Sequence, residues 1–286
     1  DDAYVQGTQA VVASITGTTG GNFEAFTTTS TVSTNVVDDA DATTVTLTAS
    51  AASVTEGGSI VYTASLNNPV TGTPLVVTLS GGTTITIPVG QSTASSAAVP
   101  VRADDAYVQG TQAVVASITG TTGGNFEALT TTSTVSTSVT DDADATTVTL
   151  TASAASVTEG GSIVYTATLN NAVTGTPLVV TLSGGTTITI PVGQSTASSA
   201  AVPVRADDAY VQGTQAVVAS ITGTTGGNFE ALTTTSTVST NVVDDADATT
   251  VTLTASAASV TEGGSIVYTA SLNNPVTGTP LVITLS

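Results

Sequence analysis

Apolar and polar residues alternate through most of this chain. Val45-Thr46-Leu47-Thr48-Ala49 sets apolar side chains against Thr with a period of two, the pattern of a strand with one buried and one solvated face. Ile60, Tyr62, Ala64 and Leu66 fall in phase in the next run, and Leu75, Val77 and Leu79 in the one after. Gly81-Gly82 then predicts a tight hairpin into Thr84-Ile85-Thr86-Ile87-Pro88. Ala97-Ala98-Val99-Pro100-Val101 follows, and Pro88 and Pro100 mark strand ends or edges. Residues 113–119 point Val114, Ala116 and Ile118 one way, and 129–139 keep Leu129, Val135 and Val139 in phase. No stretch has a helical period, and β-branched Thr and Val disfavour helix. Seven short strands, A to G, in about 100 residues predict an all-β, immunoglobulin-like sandwich.

The pattern repeats. Asp-Asp-Ala-Tyr-Val-Gln-Gly-Thr-Gln begins at Asp1, Asp104 and Asp207, a spacing of 103 residues that is domain-sized rather than solenoid-sized. Cutting after each Asp-Asp-Ala-Asp gives complete repeats at 42–144 and 145–247. Residues 1–41 supply the last strands, F and G, of a repeat and its linker; 248–286 supply strands A to C of another. Such domains predict beads strung end to end, each advancing roughly 40 Å. With no Met at its start and no apolar run long enough to span a bilayer, the chain reads as a window on a longer polypeptide. The copies are nearly identical, so no repeat has a private task, and number and length are what matter.

Charge changes the picture. The formal net charge is −19, with 21 acidic residues and only Arg102 and Arg205 as cations. That argues against nucleic acid, and against anionic membrane unless cations bridge; no membrane insertion is expected of these residues. His, Cys and Lys are absent, which removes Ser-His-Asp, Cys-His, Ser-Lys and zinc chemistry, disulfides and isopeptide staples. Paired carboxylates can hydrolyse glycosides, but that needs an aromatic-lined cleft, and aromatics are 3% of the chain. The expectation is therefore a protein that is not an enzyme.

The acids occupy four slots per repeat, none on a strand face. In the first complete repeat they are Glu56, Asp104 with Asp105, Glu127, and Asp141, Asp142 and Asp144. An up-and-down strand count puts Glu56 in the A–B loop, Asp104 and Asp105 in the E–F loop, and the acidic run after G at one pole. Neighbouring carboxylates about 5 Å apart repel by roughly 3 kcal/mol at an effective dielectric near 20. Two arginines are too few to compensate, and an all-oxygen cluster suits a hard cation, Ca²⁺ first. The candidate calcium ligands are thus Glu56, Asp104, Asp105, Asp141, Asp142 and Asp144, with Glu159, Asp207, Asp208, Asp244, Asp245 and Asp247 in the next copy and Asp1, Asp2, Asp38, Asp39 and Asp41 in the first. Glu127 lies in the F–G loop at the opposite pole and reads as solvated, with a contact to the preceding linker as the alternative. Tyr107 reads as an E–F corner tyrosine or as a plug between the sheets. The linker from Asp141 to Thr146 has no apolar residue larger than Ala, so little packing is expected to lock a junction without metal.

Ser-Val-Thr-Glu-Gly-Gly-Ser-Ile-Val-Tyr-Thr-Ala, Ile-Thr-Ile-Pro-Val-Gly-Gln-Ser and Val-Arg-Ala-Asp-Asp-Ala-Tyr resemble Calx-beta-type sandwiches. They resemble still more the extender repeats of giant type I-secreted repeats-in-toxin (RTX) adhesins of Gram-negative bacteria. The resemblance implies an extracellular or cell-surface spacer that serves surface attachment, biofilm or cell–cell adhesion. It also implies calcium on the Glu after strand A, the E–F acidic pair and the run after G. Calx-beta loops carry further acids where this chain has Gln109 and Gln112, which implies fewer ions per junction. The expected partners are calcium and neighbouring repeats. The alternatives are a self-assembling filament subunit and a glycan- or protein-binding module, the latter disfavoured by identical loops with few aromatics.

Overall fold

Every regular element is a strand, as the period-two pattern predicts, and no helix is long and apolar enough to cross a membrane. The computed structural model describes residues 1–286. They divide into two units, Asp1–Asp105 with Gln109–Asp142, and Ala106–Val108 with Ala143–Ser286.

The first unit opens with an antiparallel pair, β1 (Gln9–Ser14) and β2 (Thr31–Val36). The complete repeat then runs β3 (Ala42–Ala49), β4 (Ser53–Thr55), β5 (Ser59–Ile60), β6 (Tyr62–Leu66), β7 (Leu75–Leu79), β8 (Thr84–Ile87), β9 (Thr93–Ser95), β10 (Val99–Pro100), β11 (Gln112–Thr122), β12 (Ala128–Thr130) and β13 (Thr134–Thr140). They form a five-stranded sheet, β4-β13-β11-β7-β8, and a four-stranded sheet, β12-β3-β6-β9, with a short β5–β10 pair. Residues from both sheets make one core. Val45 and Leu47 of β3 and Tyr62, Ala64 and Leu66 of β6 meet Leu75, Val77 and Leu79 of β7, Ile85 and Ile87 of β8 and Ala116 of β11. Thr residues between them face outward, so alternation in sequence becomes alternation of burial in β3, β6 and β7. Gly81 and Gly82 both have φ of 84°, the left-handed conformation the β7–β8 turn requires.

Three strands depart from the predicted seven-strand list. Strand A divides between the sheets: β3 belongs to one, while β4 crosses to pair in parallel with β13. Strand G divides likewise, β12 pairing in parallel with β3 and β13 antiparallel with β11. Side chains fill the gaps in the ladders. Ser133 Oγ accepts from Leu47 N at 2.9 Å where β12 stops, and Thr137 Oγ1 donates to Ala51 O at 3.1 Å where the chain crosses. Strand E begins earlier than its apolar signal, with β9 pairing to β6 and β10 to β5.

The second unit repeats both sheets over residues 145–243, with the same strand order and an equivalent core around Leu178, Val180, Ile188 and Ile190. In residues 248–286, Val251–Ala255 pairs with Tyr268–Leu272 as strands A and B. The third predicted strand, near Leu281, does not form. In a complete repeat that strand lies between β8 and β11, and 248–286 contains no counterpart of either.

Candidate metal centre and repeat junction

The A–B loop is tied down before any ion is considered. Glu56 N donates to Thr140 O at 2.9 Å and Gly57 N to Arg102 O at 2.9 Å, which brings Glu56 to the ends of β10 and β13. Gly57 has φ +69°, and a Cβ there would lie 2.9 Å from Asp104 Cβ. Gly160 stands in the same relation to Asp207, at 2.8 Å. Glycine after the glutamate is therefore what lets the E–F aspartate close on the A–B loop.

Arginine organises the charges. The Glu56 side chain is fully buried; its Oε2 accepts from Arg102 Nε at 2.9 Å, and its buried Oε1 has no hydrogen-bond partner. Arg102 also donates to Gly110 O at 2.9 Å and pairs with Asp141 Oδ1. In the second unit Arg205 binds Glu159 at 3.1 Å, Gly213 O at 2.9 Å and Asp244. Two cations remain too few to balance the acidic charge, and each one sits where two carboxylates meet.

The aspartates divide by role. Asp141 Oδ2 accepts from Gln109 N at 2.9 Å and Gly110 N at 2.8 Å; Asp244 does the same with Gln212 and Gly213, and Asp38 with Gln6 and Gly7. The first Asp of each run thus staples the E–F loop to the end of G. Asp2, Asp105 and Asp208 accept the side-chain amides of Gln6, Gln109 and Gln212. Asp2 and Asp208 also cap the amides of Tyr4 at 3.0 Å and Tyr210 at 2.8 Å. Those glutamines hold a carboxylate by a hydrogen bond and leave its charge in place.

Each unit holds one carboxylate cluster wholly within itself. In the first unit, one carboxylate oxygen each from Asp1, Asp39 and Asp41 lies within 4.8 Å of the others. In the second, Glu159, Asp207 and Asp245 do the same, beside a cavity of about 230 Å³ that Asp208, Asp244 and Asp247 also line. The charges of Asp247 and Asp245, then partial desolvation and Asp208, hold the Asp207 carboxyl above its ordinary value of 3.8. Oxygens about 2.4 Å from one calcium stand no more than about 4.8 Å apart, so the clusters fit that ion in spacing and in chemistry. The exposed Asp104 and Asp142 belong to the first unit, and half-buried Asp144 to the second.

Of the two readings of Glu127, the contact with the preceding linker is the one the structure takes. Glu127 Oε2 accepts from Asp41 N at 2.8 Å, and Glu230 Oε2 accepts from Asp144 N at 2.9 Å, so the F–G glutamate meets the linker that precedes its repeat. The tyrosine expectation fails in both forms. Tyr4, from the loop before β1, bridges to Phe126 of the following repeat, with ring centroids 5.7 Å apart. Its hydroxyl donates to Pro69 O at 2.8 Å. Tyr107 makes the same contacts with Phe229 at 5.7 Å and Ala172 O at 2.8 Å within the second unit. The aromatic is neither a corner tyrosine nor a core plug, and the junction is packed although the linker is not. One signal was available: in a chain with four Phe and six Tyr, Ala-Tyr-Val and Asn-Phe-Glu place aromatics in loops.

Comparison with known families agrees with this repeat. The profile of the LapA domain matches residues 41–142, 144–246 and 247–286, most of the sequence. The chain belongs to the LapA domain family. Its repeats are structural repeats of the large-adhesin type, the group whose extender repeats the sequence resembles. Among solved structures, one described as a tetra-tandem repeat in the extending region of a large adhesion protein is 19% identical. The match covers 94% of this chain and 71% of that one, at a TM-score of 0.30. No curated protein matches the sequence.

Proposed function

We propose that these LapA domains are non-catalytic spacers of an extracellular adhesin, stabilised at their acidic poles by calcium, that hold a separate adhesive domain away from the cell. The observation that carries the calcium reading is the Glu159, Asp207 and Asp245 cluster, three carboxylates within 4.8 Å with a single arginine on one of them. Asp1, Asp39 and Asp41 form a second such set. Calcium would neutralise these groups as hard oxygen ligands. The chain's own residues do the remaining work: Arg205 orients Glu159, Asp244 fixes the E–F loop, and Gly160 admits Asp207. Where calcium is scarce the poles repel and the folded chain is less stable, which eases export; outside the cell the ions restore that stability.

The test is calcium titration of the full chain followed by calorimetry. Saturable binding is expected, with a gain of about 2.7 kcal/mol at a hundredfold excess over Kd. Glu159→Gln keeps an acceptor for Arg205 and should weaken binding while the sandwich stays folded. Absence of saturable binding, or equal stabilisation by sodium chloride at matched ionic strength, overturns the calcium reading in favour of simple screening.

A further inference from the structure

The loop aromatics carry an inference that does not depend on calcium. In the first unit, Tyr4 forms an antiparallel bridge with Phe126, so Ala3 and Val5 stand beside Glu127 and Asn125. Val5 N donates to Asn125 O at 3.1 Å, Glu127 N to Ala3 O at 3.2 Å, and Asn125 Nδ2 to Val5 O at 3.0 Å. The second unit reproduces the set. Val108 N donates to Asn228 O at 3.1 Å, Glu230 N to Ala106 O at 3.2 Å, and Asn228 Nδ2 to Val108 O at 3.0 Å. The tyrosine ring covers the phenylalanine, and its hydroxyl finds the carbonyl of residue 69 or 172 in the B–C loop.

The receiving surface is built, not incidental. Asn67 Oδ1 accepts from Thr44 N at 2.7 Å and Asn68 Nδ2 donates to Thr43 Oγ1 at 2.9 Å, which pins the B–C loop to the start of β3. Gly72 has φ +73°, and a Cβ there would press on Asn125 at 3.1 Å. Ala3 and Ala106, which donate the strand, are themselves buried. None of the bonds passes through a carboxylate side chain.

We propose that each repeat carries a docking surface, made by its B–C and F–G loops, for the Ala-Tyr-Val segment of the repeat before it, and that this clasp forms without metal. It is strand addition on a small scale: backbone bonds hold the segment and one aromatic anchor gives specificity. The clasp sets which surfaces meet, and any ion acts on a joint already made.

Amide hydrogen exchange of the full chain in chelator tests this, read at Val108 and Glu230 against core amides such as Leu178 and Val180. The expected result is protection at Val108 and Glu230 in chelator, lowered about fivefold by Tyr107→Phe through loss of one hydrogen bond. Tyr107→Ala should abolish it, with the core amides unchanged in both variants. Loss of protection at Val108 and Glu230 in the parent chain on chelation, with the core intact, overturns the proposal. So does protection that survives Tyr107→Ala. A chain that binds no calcium yet keeps these amides protected would defeat the calcium reading and leave the clasp standing.

Discussion

The interior of each sandwich and its acidic pole are held by opposite physics. The interior is a set of Val, Leu and Ile side chains from two sheets, with Leu75, Val77, Ile87, Leu178, Val180 and Ile190 fully buried. Its stabilisation follows apolar area and does not depend on dissolved ions. The pole brings carboxylates together around one arginine per repeat, and its loops are fixed by hydrogen bonds to aspartate oxygens. Charged groups so close respond to whatever counter-charge the solution supplies. The fold is therefore expected to persist when conditions change, while the pole alone reports them.

Leu178→Ala has the largest expected effect and tests the interior alone. Leu178 is fully buried in the second core, so the variant should lose about 3 kcal/mol in denaturant melts, equally with calcium and with chelator. A loss that depends on calcium would show that the two regions are coupled more tightly than their contacts indicate. Removing calcium from the parent chain is the converse test. It should cost about 2.7 kcal/mol relative to a hundredfold excess over Kd, with strand circular dichroism unchanged well below the melt.

Gly160→Ala attacks the pole through backbone rather than charge. The added methyl would occupy a φ +70° position and meet Asp207 Cβ at 2.8 Å. The expected cost is about 1–2 kcal/mol, on the order of other residues forced into sparsely populated backbone regions. Calcium binding should weaken as well, because Asp207 must move away from Glu159. Unchanged calorimetry in this variant would remove Asp207 from the ligand set.

The interior was legible because burial and sequence share one period. Val45 and Leu47 alternate with Thr, and the structure buries the first pair and exposes Thr46 and Thr48. The crossings of strands A and G were not legible. They depend on Ser133 and Thr137 hydroxyls replacing ladder bonds, and Ser and Thr are too common here to mark two positions. Strand E was misplaced because Thr93-Ala94-Ser95 carries little apolar signal, and its pairing with β6 decides its position. At the pole, strand direction sufficed to bring Glu56, Asp104 and Asp141 near one another. It could not separate Asp141, whose oxygens take Arg102 and two backbone amides, from the other aspartates of the pole. Tyr107 was misassigned because its partners, Phe229 and Ala172, belong to the repeat that follows it.

The smallest expected effect is a pH dependence confined to the pole. Asp247 and Asp245 raise the folded-state pKa of Asp207 above 3.8, so its ionised form is disfavoured by folding. The sign follows from linkage: the folded state binds this proton more readily than the unfolded state, so stability falls as pH rises through the range just above 3.8. Above the folded-state value the penalty is complete and flat. In chelator, lowering the pH from neutral into that range should therefore raise the melting temperature of the second unit slightly. Asp207→Asn removes the titrating group and the charge that Asp245 and Asp247 repel, so it should flatten that part of the curve and match the parent's acid-side stability at neutral pH. Calcium should also flatten the parent's curve, because a bound cation offsets the same repulsion. A parent chain whose stability in chelator falls on acidification, with the variant falling in parallel, would place the governing titration outside Asp207.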